Sequence, residues 1–138
     1  MNRKMFFTAV VFVLALSLGT AFAGPNLNPG KWEITTQTEM AGMPGMIPPV
    51  THTQCLTGEA LVPQSDEASK ECKISDIKQI GDAITWKIVC SGKNGEMEGT
   101  GKVIYKGDTM TGEMDMVIKG AGMQIKNTIS GKRIGKCD

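Results

Sequence analysis

The chain has 138 residues, with Lys+Arg 15 against Asp+Glu 14, one His, four Cys, ten Met and seventeen Gly. One domain is the natural count at this length. The charges are balanced and interspersed, which argues against the basic stripe of a nucleic-acid binder and against the polybasic cluster of an anionic-membrane binder.

Residues 1–23 read as a secretory signal peptide: Arg3 and Lys4 are basic, residues 5–19 are almost wholly apolar, and Ala21-Phe22-Ala23 is a small-x-small cleavage site. The apolar run is shorter than the roughly 20 residues a spanning helix needs, so the chain is not expected to span a membrane after cleavage. Cutting after Ala23 removes Arg3 and Lys4 and leaves a single β domain over residues 24–138 with thirteen basic and fourteen acidic side chains. Export also makes disulfides available to it.

Along that domain, Trp32 and Ile34 alternate with Lys31, Glu33 and Thr35, which predicts a strand. The next stretch carries Met40, Met43 and Met46 among Ala, Gly and Pro. Thioethers at three-residue spacing on a loop suit soft Cu(I) or Ag(I), with His52 near enough in sequence to serve as a fourth ligand. The plainer reading is an apolar crossover loop whose Met side chains cover one end of the core. A second strand spans residues 50–56, and residues 57–71 are polar, as in a loop with a helical turn.

Over residues 72–80, Ile74, Ile77 and Ile80 recur every third position, so they cannot share one face of a flat strand, and a bulge is expected. Residues 83–90 put Ile84, Trp86, Ile88 and Cys90 together. Residues 97–105 turn Met97, Gly99, Gly101, Val103 and Tyr105 inward, and residues 109–119 do the same with Met110, Gly112, Met114, Met116 and Ile118. Residues 123–131 add Met123, Ile125 and Ile129. Turn signals at Gly81-Asp82, Asn94-Gly95, Gly107-Asp108 and Gly120-Ala121-Gly122 separate these segments at intervals of about a dozen residues. The fold class is therefore all-β: a curved antiparallel meander of about seven strands, an open or closed small barrel, reinforced by disulfides. The inward Gly99, Gly101, Gly112 and Gly131 either permit strong curvature or leave room for a ligand. The inward methionines either fill an irregular core or line a soft apolar cavity.

Four cysteines allow three pairings. A hairpin turning at Gly81-Asp82 sets Cys72 and Cys90 nearly opposite each other, nine residues either side of Gly81, and leaves Cys55 to pair with Cys137. There is no Cys-x-x-Cys and no Cys-His cluster for redox or zinc chemistry. Catalytic signals are almost absent. His52 has no nucleophile elbow near it, and carboxylate pairs such as Glu113 and Asp115 sit on the outward face.

Together the exported leader, Pro29-Gly30-Lys31-Trp32-Glu33-Ile34, the Met/Gly/Pro loop over residues 40–49, Gln54-Cys55-Leu56-Thr57, Cys72, Trp86-Lys87-Ile88-Val89-Cys90 and Tyr105-Lys106-Gly107-Asp108-Thr109-Met110-Thr111-Gly112 resemble the domain-of-unknown-function family thirty-six-seventeen. That resemblance implies a periplasmic location in Gram-negative bacteria and a β fold, and it implies no mechanism. The Gly-Lys-Trp start and the meander are also similar to lipocalin-like barrels, which favours a small ligand. The expectation is a non-enzymatic binding or structural module without a cofactor, for a hydrophobic small molecule or an envelope protein. The alternative is copper or silver binding through Met40, Met43, Met46 and His52.

Overall fold

A computed structural model describes residues 24–43, 47–64, 70–92 and 95–138. The expected signal peptide, Met46 and Asn94 lie outside the described residues. Seven strands form one antiparallel sheet: β1 (Gly30–Met40), β2 (Val50–Leu56), β3 (Cys72–Ile80), β4 (Ala83–Gly92), β5 (Gly95–Lys106), β6 (Thr109–Ile118) and β7 (Met123–Gly135). Their order is β2-β1-β7-β6-β5-β4-β3. The last five strands are therefore a meander, and the first two close onto its end through the β1–β7 ladder. The sheet curls into a half-barrel whose free edges are β2 and β3.

Alternation sets the two faces. Trp32, Ile34, Ile84, Trp86, Ile88, Val103, Tyr105, Met110, Met116 and Ile129 all point into the curl and are buried. Trp32 and Tyr105 meet edge-on, with ring centroids 6.0 Å apart. The outer face carries Lys87, Glu98, Lys102, Glu113, Asp115 and Lys126, all exposed. Exposed cross-strand ion pairs there, such as Lys126–Glu113 at 3.6 Å, contribute little to stability. Lys119 is held above its ordinary range chiefly by its hydrogen bond to Glu96, and then by Glu98.

The curl depends on the inward glycines. A Cβ on Gly99 would lie 2.9 Å from Met116 Cα and closer still to the Asp115 carbonyl oxygen, so only a missing side chain lets β5 and β6 approach this tightly. At Gly101 the space is taken instead by the Trp86 indole, which lies directly over the strand.

The expected bulge is present in β3 and explains the disulfide. The hairpin pairs Ile80 with Ala83 and Lys78 with Thr85, a register that would bring Cys72 opposite Ser91. Between Ser75 and Lys78 two residues of β3 face one of β4, with Asp76 at φ 53°, and the shift by one brings Cys72 opposite Cys90. The same bulge turns Ile77 and Ile80 out to solvent, so of the three recurring isoleucines only Ile74 packs against the core. Cys72–Cys90 and Cys55–Cys137 are both disulfides. The second spans 82 residues and ties edge strand β2 to the tail beyond β7.

Candidate functional site

The segment after β2 folds back over one end of the curl. Val62 is buried, the Tyr105 hydroxyl donates to the Leu61 carbonyl, and the Gln54 side chain clamps the strip from both sides. Its Nε2 donates to Val62 O at 3.3 Å, while its Oε1 accepts from Gln64 N at 2.8 Å. Burial pushes the Tyr105 hydroxyl pKa well above its ordinary value. This clamp positions Pro63 and Gln64 as a partial lid.

Beneath the lid lies a cavity of about 180 Å³ within the curl. Ile34 and Thr36 of β1 and Val50 and His52 of β2 form one wall. Trp86 and Ile88 of β4 face them, with Met114, Asn127 and Ile129 of β6 and β7 as the floor. Each strand residue is an inward position of its strand, so the cavity follows directly from the alternation. Val50, 62% exposed, marks the mouth. Asn127 is buried and its Oδ1 accepts a hydrogen bond from Thr38 Oγ1 at 2.6 Å.

Two nitrogens of lining residues, Trp86 Nε1 and His52 Nε2, are buried with no hydrogen-bond partner among the described residues. The other tryptophan differs, since Trp32 Nε1 donates to the Asn28 carbonyl at 3.1 Å. A buried polar group without a partner costs about 1–3 kcal/mol, while the polar side chains of the lining are Thr36, His52, Gln64 and Asn127.

A larger depression, about 820 Å³, lies on the outer face. Lys87, Glu98, Thr100, Asp115, Lys126 and Glu39 border it, and all six are exposed. Val89 and Val117 also line it, but side chains of both signs surround them and the depression lies open on the outer face, so the more enclosed cavity in the curl is the better site despite its smaller size.

The sequence-derived metal set is divided by the fold. Met43 N donates to Met40 O at 3.0 Å, and an isolated bridge holds the two residues side by side. His52, however, pairs with Ile34, six residues along β1 from Met40. At about 3.3 Å per residue that separation is roughly 20 Å, beyond the reach of one ion. Met46 lies outside the described residues. No group of three or more His, Cys, Asp or Glu gathers among the described residues. Sequence reasoning placed Trp86 and Met114 at inward positions of their strands but missed Thr36 and Asn127. Both sit at inward positions of their strands, and a polar residue there was the available signal.

The family model described as "Protein of unknown function (DUF3617)" matches residues 27–137. No curated protein and no solved structure matched the chain. With the matched region covering both disulfides, all seven strands and every residue of the cavity, the chain belongs to the DUF3617 family of proteins of unknown function.

Proposed function

We propose that this is a non-enzymatic binding protein of the periplasm that takes a small hydrophobic molecule into the curl of its half-barrel. The observation that carries the reading is the 180 Å³ cavity lined by Ile34, Ile88, Met114 and Ile129. An engineered apolar cavity of about 150 Å³ accepts benzene, so this one is the size of a single ring or a short branched chain. Two disulfides are consistent with an exported protein. Native mass spectrometry of the protein recovered from periplasmic extract tests the proposal. A bound organic mass, reduced in occupancy by the cavity-filling Met114→Trp, supports it. A bare protein that ignores small apolar compounds leaves an envelope-protein partner as the better account.

A second reading keeps Met40 and Met43 as thioether ligands for Cu(I) or Ag(I), favoured by the bridge that pairs them. It requires other ligands than His52. Cu(I) titration against a soft chelator, with Met40→Leu/Met43→Leu as the comparison, decides it: unchanged affinity in the double variant removes this reading.

A further inference from the structure

We infer that the Asn127 carboxamide on the cavity floor selects the ligand, and that the ligand is a ring-sized apolar molecule bearing one uncharged oxygen acceptor, such as a ketone. The inference rests on the binding reading above and adds the ligand's chemistry to it. Along β7 the inward positions run Ile125, Asn127, Ile129, so a polar side chain stands where the alternation calls for an apolar one. Asn127 is only 6% exposed, and burying an amide is costly unless its polar atoms find partners.

The protein satisfies one end of that amide. Asn127 sits opposite Thr38 of β1, whose hydroxyl donates to its Oδ1 at 2.6 Å. That bond fixes the orientation of the carboxamide and leaves Nδ2 as a donor with two N–H bonds. Nδ2 donates to no group among the described residues. It is not sealed off either, because the buried and unpartnered side-chain nitrogens among those residues are His52 Nε2 and Trp86 Nε1, and Asn127 contributes none. An accessible, unpaired donor on a buried residue faces the enclosure that the residue lines. A hydrocarbon filling that enclosure covers the donor and leaves it unpaired, whereas an acceptor oxygen takes the bond. Discrimination by a buried polar group left without a partner is stronger than discrimination by apolar fit. The charge of the oxygen follows from the lining. Among the described residues no Lys or Arg borders the cavity, so a carboxylate would lose its hydration with no such cation to replace it, and a neutral carbonyl is the favoured acceptor.

Three ring-sized probes separate the possibilities. Cyclohexanone and methylenecyclohexane share one shape and differ in the acceptor oxygen, while cyclohexanecarboxylate carries a charged one. Each is titrated into the mature protein and into Asn127→Leu, which removes the N–H donors and keeps a branched side chain of similar length. Cyclohexanone should weaken at least about fivefold in the variant, and methylenecyclohexane should not weaken. In the unaltered protein the Asn127 side-chain amide protons should move downfield with cyclohexanone and not with methylenecyclohexane. The Gln37 amide, which is bonded to the Ile47 carbonyl and does not line the cavity, is the internal reference. That NMR readout needs no variant and stands even where Asn127→Leu folds poorly. Equal losses for cyclohexanone and methylenecyclohexane, or Asn127 amide signals unmoved when cyclohexanone binds, overturn the acceptor inference while the binding reading survives. Tighter binding of cyclohexanecarboxylate than of cyclohexanone overturns the neutral-acceptor assignment. Failure of all three to bind removes the binding reading itself.

Discussion

Placing a methyl group on Gly101 tests whether the curl and the cavity share one support. The Cβ of Gly101→Ala would lie 2.7 Å from Trp86 Nε1 and closer still to Cε2 and Cζ2. Ordinary carbon contacts are about 3.5–4.0 Å, so the overlap is about 1 Å. The indole is 2% exposed and belongs to the buried core, so it cannot swing into solvent. Overpacking of this kind costs about 1–3 kcal/mol, and for a domain near this size that lowers Tm by roughly 5–15 °C. The decisive form is a double-mutant cycle with Trp86→Phe, read by urea unfolding. Phe lacks the indole atoms that the new methyl meets, so Gly101→Ala should cost at least about 0.5 kcal/mol less in that background. Equal costs in the two backgrounds, or a Gly101→Ala variant as stable as the parent, would refute the idea that the glycine makes room for the indole.

Three further outcomes follow from the same geometry. Tyr105 is the only tyrosine, so its ionisation can be followed directly by ultraviolet absorbance. Burial raises its folded pKa above the ordinary 10.0, and its stabilisation is therefore complete below pH 10 and declines as the pH rises further; a native phenol titrating at its ordinary value would show the burial to be wrong. Tyr105→Phe should cost about 1–2 kcal/mol by leaving the Leu61 carbonyl unpaired, measured by denaturant unfolding. Replacing Cys55 and Cys137 by Ser should cost about 4.5 kcal/mol on the chain-entropy model, against about 3 for the Cys72 and Cys90 pair; a larger loss from the shorter loop would contradict that ranking.

β1 and β4 to β7 were legible because each has a wet face that preserves period-two alternation, whereas β3 breaks it at its bulge. The Cys72–Cys90 pair was legible because both cysteines lie nine residues from Gly81, and the bulge signalled by Ile74, Ile77 and Ile80 supplies the one-residue shift that makes that pairing exact. The β1–β7 ladder was not legible, because it joins strands nearly a hundred residues apart and no turn chemistry specifies it. Proximity in sequence grouped His52 with the methionine loop, whereas strand direction carries it about six residues down β1 and into the curl. The glycines offered two readings, curvature or ligand space. At Gly99 the space goes to strand approach and at Gly101 to Trp86, while the cavity opens beside Met114 and Asn127.

A methyl-resolved NMR titration of the mature protein with benzene tests the central claim most directly. The account predicts saturable shifts at Ile34, Ile88, Ile129 and Met114, which line the cavity, and none at Ile104 and Ile134, which are exposed away from it. Shifts confined to Ile104 and Ile134, or no saturable shift at any methyl, would contradict it.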